Sequence, residues 1–399
     1  MTKETGIKLG AKQLSLACRM LSPILKSCRC TPGYHSILFA RAGSAVALSA
    51  FDGATALTLT FTLNGPESPE KGEPFRVAAE TFCDWAQKLP DDEEMEITPQ
   101  RGKVLVANGD KSIRAAFLRV EADMTISPAL EEERVFAGVP ASRLSAALAA
   151  CAPCREVDIA PTPLSHLAIA VPSTHDLKLV ATDGRRLGLC NIRLDTDAGD
   201  DFELRLGPQL LVPRAGFSAL RRILTSDVCA HAKVSLSRLG SVGFLFSIDS
   251  TAFHARLFSP AVTMQFPSYE PVIPRAEDMA GAATVEADVL RSVLRRVECF
   301  SNTLSGALDL ECTPDGLRLG AADAEHGESS EVIPTITTFP EPMRRTINIQ
   351  YLLDAVASVD GHVSLAFPGA LEKPIHLSAQ LPGTAESDTF DCYIMGMRR

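Results

Sequence analysis

Three stretches of the chain alternate apolar and polar positions with period two and end on the same signal. They are Val46-Ala47-Leu48-Ser49-Ala50-Phe51-Asp52-Gly53, Leu177-Lys178-Leu179-Val180-Ala181-Thr182-Asp183-Gly184 and Leu317-Arg318-Leu319-Gly320-Ala321-Ala322-Asp323-Ala324. Alternation predicts a half-buried strand, and the Asp-Gly or Asp-Ala pair predicts a turn where the strand stops. Ahead of each strand a helical stripe recurs, carried by Leu14, Cys18 and Leu21, by Leu144, Leu148 and Cys151, and by Leu290, Leu294 and Val297. Their i, i+4, i+7 spacing predicts one buried helix face in each copy. A second helix is predicted after each strand, from Phe82, Trp85 and Leu89, from Phe217, Leu220 and Leu224, and from Ile349, Leu352 or Leu353, and Val356. Each second helix leads into further alternation, as in Lys103-Val104-Leu105-Val106, Gly243-Phe244-Leu245-Phe246 and Pro374-Ile375-His376-Leu377. The chain therefore reads as three copies of helix, strands, helix, strands, with anchoring aspartates 131 and 140 residues apart. Such a period marks an internal repeat.

Proline-containing extended stretches join the copies, Ile126-Ser127-Pro128-Ala129-Leu130 and Phe266-Pro267-Ser268-Tyr269-Glu270-Pro271-Val272-Ile273-Pro274. Proline lacks an amide donor and fixes φ, so the second stretch reads as a stiff linker rather than a strand or helix. The expected class is α+β, with three tandem domains over residues 1–128, 129–268 and 269–399. A chain of 399 residues, at roughly 150 per domain, allows two or three.

Composition removes several function classes. Apolar residues make up 46% and charged residues 22%, the balance of a soluble globular protein. No apolar run reaches the roughly 18 residues of a membrane span, and no apolar core follows Lys3, so neither membrane insertion nor export is expected. Eleven scattered cysteines fit reduced thiols in a cytoplasm better than a disulfide framework. Cys151-Ala152-Pro153-Cys154 has C-x-x-C spacing, but no second pair or histidine stands at zinc-ligand spacing. No metal or other cofactor is therefore expected. Phosphate-loop, dinucleotide and nucleophile-elbow motifs are absent from the sequence.

Charge changes the picture through its distribution. Lys plus Arg is 39 against 49 for Asp plus Glu, a net of −10, which taken alone argues against nucleic acid. The cations nevertheless gather on the predicted helices. Lys12 and Arg19 share one face of the first, Lys26 and Arg29 continue the count, and Pro23 is expected to end or kink that helix. Arg143 and Arg155 flank the next helix, Arg214, Arg221 and Arg222 lie on the fourth, and Arg291, Arg295 and Arg296 lie on the fifth. Acids collect elsewhere, as in Asp91-Asp92-Glu93-Glu94 and Glu131-Glu132-Glu133. A basic lining inside an acidic molecule would draw a polyanion to one place, and phosphate contacts alone would let it slide.

Leu179-Val180-Ala181-Thr182-Asp183-Gly184-Arg185-Arg186-Leu187, the Phe266–Pro274 linker, Asn348-Ile349-Gln350-Tyr351-Leu352-Leu353-Asp354-Ala355 and Tyr393-Ile394-Met395-Gly396-Met397-Arg398-Arg399 occur in this order. Together they resemble the bacterial DNA polymerase III beta subunit, the sliding clamp family. The likeness covers all three copies and is weakest in the first. It implies three clamp domains, each with two helices on antiparallel sheets, in a head-to-tail dimeric ring around duplex DNA. It also implies a processivity factor rather than an enzyme, with the polymerase III catalytic subunit, a clamp loader and other polymerases and repair factors as partners. Those partners would insert a peptide into a pocket between the second and third domains. By position the pocket would use Leu164, Thr182, Gly184, Arg186 and Leu187, then Pro267 and Val272, then Asn348 and Tyr351, and finally Met395, Gly396, Met397 and Arg398. Leu187, Val272, Met395 and Met397 would supply an adaptable apolar floor. The dimer contact would join Ala115 and Phe117 of one subunit to Cys299 and Phe300 of the other.

The chain departs from the family pattern at Gly396, Glu270-Pro271 and Arg399, which points to a divergent or specialised clamp. Two other readings stay open. One is an interaction scaffold on a clamp fold that no longer encircles DNA. The other is an enzyme using Asp52, Asp183 and Asp323, set against the tendency of Asp before Gly to bond its own backbone in a turn.

Overall fold

The helical stripes form helices where their spacing places them. In a computed structural model, which describes residues 6–27, 33–63, 73–121, 131–156, 162–173, 175–194 and 210–397, six α-helices appear. They are α1 (Ala11–Ser27), α2 (Ala79–Ala86), α3 (Ala141–Cys151), α4 (Arg214–Leu224), α5 (Ala287–Glu298) and α6 (Ile349–Val356). The anchors Leu14, Cys18 and Leu21, Leu144, Leu148 and Cys151, and Leu290, Leu294 and Val297 are all fully buried. The second stripe is buried in α4 and α6, but in α2 only Phe82 is; Trp85 is half-buried and Leu89 lies past the helix end.

Pro23 neither ends nor divides α1. It stands inside a helix that runs on to Ser27. An interior proline costs about 3 kcal/mol, whereas burying one large apolar side chain returns about 1.5–3 kcal/mol. Met20, Leu21, Ile24 and Leu25, on both sides of the proline, are all buried, so packing outweighs the missing hydrogen bond. Lys26 therefore extends the exposed line of Lys12 and Arg19.

The described residues divide into two compact units, Met1–Ala141 with Val212–Val262, and Ser142–Leu211 with Thr263–Arg399. The first unit carries a twelve-stranded antiparallel sheet. Strands of the first repeat meet strands that follow α4 where Ala56–Thr62 pairs with His254–Pro260, Leu57 opposite Leu257. In this unit α1 packs on both α2 and α4. The second unit carries an eight-stranded and a four-stranded sheet. In the larger one Arg186–Arg193 pairs with Thr389–Ile394, so the middle repeat and the chain's last strand share a sheet. In this unit α5 packs on α6.

The recurring aspartates have the same local task in all three copies. Asp52 Oδ1 accepts from the amides of Ala54 and Thr55, Asp183 Oδ1 from Arg185 and Arg186, and Asp323 Oδ1 from Glu325 and His326. Each carboxylate thus replaces the backbone acceptor that a tight turn removes. Hydrogen bonds from Asn302, from the Glu325 amide and from His326 hold the Asp323 carboxyl far below the usual range. Among the described residues, no helix is long and apolar enough to cross a membrane.

Candidate functional site

A cavity of about 580 Å³ opens in the second unit at the end of the Arg186–Arg193 strand. Its construction begins at the turn. Gly184 adopts φ +81°, a conformation that disfavours residues with a Cβ. Thr182 Oγ1 accepts from the Gly184 amide at 3.1 Å and donates to the Arg186 carbonyl at 2.7 Å. The turn so braced sends Leu187 into the strand opposite Tyr393, and the Met395 amide extends the pairing to the Arg185 carbonyl at 3.0 Å. Leu187, Tyr393 and Met395 are thereby brought together in the cavity wall, with Leu164, Pro267 and Val272 across it. Val272 is 46% exposed, an apolar surface available to a ligand.

Arg186 fixes the wall from behind. Its guanidinium donates to Asp183 at 3.1 Å, to Asp354 at 2.7 Å and to the Pro153 carbonyl, and lies 4.4 Å from the centre of the Tyr351 ring. Burial disfavours its charge, but the bond to Asp354 and the neighbouring anions more than offset this and raise its pKa. Tyr393 stacks on His376 at 4.5 Å, and burial, reinforced by Asp391, pushes its hydroxyl up to about 12. Arg185 and Arg186 are the charged residues of the lining. Glu270 turns back on its own loop, accepting from Ser268 Oγ and the Tyr269 amide at 3.1 Å each, which helps hold its carboxyl below the ordinary range.

Eight of the residues nominated from sequence line this cavity: Leu164, Thr182, Gly184, Arg186, Leu187, Pro267, Val272 and Met395. Asn348 and Tyr351 do not. Asn348 caps α6, accepting from the Gln350 amide and donating to the Ser305 carbonyl, and Tyr351 supports Arg186. Gly396 and Met397 line a neighbouring polar cleft of about 1060 Å³, because the Met397 amide bonds the Thr346 carbonyl and draws the chain that way. Arg398 lies outside the described residues. Tyr393, Arg185 and Pro374 line the cavity without having been nominated. The period-two rule could have found Tyr393, which shares a strand face with Met395.

The cations separate into distinct groups. Lys12, Arg19 and Lys26 on α1 and Arg214, Arg221 and Arg222 on α4 are all exposed, and Arg19, Lys26 and Arg222 meet around a cavity of about 360 Å³. Arg295 is exposed too. Arg296 is exposed but holds Glu331 through two hydrogen bonds of 2.9 and 2.6 Å, which raise its pKa. Arg291 is drawn inward, donating to the Val356 and Val359 carbonyls at the end of α6. Arg143 and Arg155 do not belong to a cationic surface. Arg143 is buried against Asp388, and Arg155 is buried and donates to the Ser165 carbonyl at 2.9 Å. A guanidinium sealed by protein acceptors has no donors left for phosphate. Arg29 lies outside the described residues.

Phe117 also faces inward, its ring 5.1 Å from Phe82 and 5.3 Å from Trp85. Strand alternation instead turns Leu118 outward, 66% exposed. Ala115 is half-buried, Cys299 is exposed and Phe300 is half-buried.

Residues 270–398 match the family described as DNA polymerase III beta subunit, C-terminal domain. The beta sliding clamp of Haemophilus influenzae is 24% identical over 290 residues, 72% of this chain and 73% of that protein. The beta sliding clamp of Pseudomonas putida is 25% identical over 340 residues, 85% of this chain and 86% of that one. Among solved structures, the Pseudomonas aeruginosa DNA polymerase sliding clamp superposes with TM-score 0.78 at 20% identity, covering 99% of this chain and all of that one. The Thermotoga maritima DNA polymerase III beta subunit gives 0.80 at 18%, with the same coverage. With its C-terminal third matching the beta-subunit family and its full length sharing that fold, the chain belongs to the bacterial beta sliding clamp family.

Proposed function

We propose that this chain is a DNA sliding clamp, a cytoplasmic, non-catalytic processivity factor built from three clamp domains over residues 1–128, 129–268 and 269–399. Two copies would close head to tail around duplex DNA, and the cavity beside Leu187 would hold peptides from the polymerase III catalytic subunit, the clamp loader and other polymerases and repair factors. The observation that carries this reading is that cavity, an apolar, largely preformed slot whose charged lining residues are Arg185 and Arg186. Tethering raises the effective concentration of a polymerase at its primer end without any chemistry by the tether. The exposed cations of α1 and α4 and of Arg295 and Arg296 supply sequence-independent attraction to phosphates.

Strand edges support closure between subunits. The Arg114–Val120 strand pairs with Phe75–Ala78 only at Arg119 and Val120, leaving an edge along Arg114–Leu118 among the described residues. Gly327–Ile333 is likewise the outer strand of its sheet, with Val332 48% exposed. Open edges of this kind are normally covered.

The test is topological. The protein is loaded by a clamp loader onto nicked circular duplex DNA, which is then linearised. Retention on circles with release from linear ends is the expected result. Equal retention on both forms, or on neither, rejects the ring and favours a scaffold that does not encircle DNA.

A further inference from the structure

The cavity between α1, α2 and α4 in the first unit contains chemistry that DNA or peptide binding does not use. Cys18 on α1 and Cys83 on α2 both line it. Cys18 is fully buried, Cys83 is half-buried, and their thiols are hydrogen-bonded to each other. Arg19, Lys26 and Arg222 line the same cavity, with His35, Glu80 and Asp84 completing its ionisable wall. Reactive cysteines occupy partly exposed, electropositive sites, and sensor cysteines commonly stand beside a second thiol that resolves the first adduct. By contrast Cys151, Cys190 and Cys392 are fully buried in the second unit, and Cys299 is exposed on its own.

We propose that Cys83 and Cys18 form a thiol–disulfide exchange site for small anionic disulfides, such as the dicarboxylate disulfide glutathione forms. The cavity's cations hold the ligand's carboxylates beside Cys83. Cys83 loses its proton to solvent and its sulfur attacks one sulfur of the disulfide. The S–S bond breaks, and one thiolate leaves and takes up a proton. Cys18 then loses its proton and attacks Cys83 Sγ in the mixed disulfide, releasing the second thiol. Two protein thiols are oxidised, one small disulfide is reduced to two thiols, and a Cys18–Cys83 bond staples α1 to α2. The inference stands independently of whether DNA threads the protein.

The test treats the full-length protein with oxidised glutathione at neutral pH, quenches with acid and maps the peptides without reduction. The expected result is a Cys18–Cys83 linked peptide pair. Cys18→Ser should stop at a glutathione adduct on Cys83, and Cys83→Ser should abolish the link. Arg222→Ala should slow the reaction by at least ~3-fold at low salt, and more with oxidised glutathione than with neutral bis(2-hydroxyethyl) disulfide. Exposed Cys299 is the internal control. If Cys299 becomes modified while Cys83 stays a free thiol in the unsubstituted protein, the proposal is wrong, whatever the variants do.

Discussion

Replacing Arg143 with methionine removes the partner of a buried carboxylate. Asp388 is sealed from solvent, and Arg143 Nε donates to its Oδ2 at 2.6 Å while Nη2 donates to Oδ1 at 2.7 Å. The same guanidinium reaches the Arg193 carbonyl, and the Arg193 amide donates to Asp388 Oδ1 at 3.1 Å. With Arg143 gone, Asp388 keeps that one amide and no neutralising charge. Breaking a buried pair in this way costs about 3–5 kcal/mol. For a unit of this size each kcal/mol moves the melting midpoint by about 2–4 °C, so Arg143→Met should melt roughly 6–20 °C lower. Adding Asp388→Leu removes the stranded charge and should recover most of the loss, since apolar replacement of a buried pair is often neutral. The assays are urea unfolding and DNA binding across a salt series. A variant within about 1 kcal/mol of the parent, or one whose salt dependence of DNA binding falls while its stability is kept, would refute the assignment of Arg143 to the core.

Arg221→Ala with Arg222→Ala should show the opposite profile, with unchanged melting and a slope of log K against log salt shallower by ~0.9 for each phosphate that is no longer neutralised. Val272→Ala should weaken an apolar partner peptide by about 1 kcal/mol, roughly fivefold in Kd by fluorescence anisotropy, with the fold unchanged. Gly188→Ala would place a Cβ 2.8 Å from Cys154 Sγ beneath the pocket and should destabilise by about 1–3 kcal/mol in urea unfolding, partly relieved by Cys154→Ala. The Asp323 carboxyl titrates far below its unfolded value, so its contribution is complete above about pH 4 and disappears as pH falls further; Asp323→Asn should flatten the acid limb of the stability profile.

Much of this architecture is legible in one dimension because it rests on short-range periodicity. Leu14, Cys18 and Leu21 share a helix face through bond geometry alone, and Asp52, Asp183 and Asp323 cap turns formed by their immediate neighbours. The pocket is only partly legible. Resemblance located Leu187 and Met395, but Tyr393 becomes a wall residue through its pairing opposite Leu187, a contact across more than half the chain. Gly396 and Met397 turn away because of one hydrogen bond to Thr346.

The sequence by itself determined the repeat, the helices and strands within it, the turns that end the strands and the gathering of cations on helices. Only the tertiary structure decided which of those cations face solvent, since an arginine beside an apolar stripe reads the same whether or not a distant carboxylate awaits it. Arg143 meets Asp388, and Arg221 and Arg222 remain exposed. Pro23 makes the same point in reverse, because the forces that carry α1 through it come from side chains packed around the helix rather than from the residues beside the proline. Local pattern is set by covalent geometry over a few residues, whereas charge burial and helix continuity are set by what the rest of the fold brings to that place.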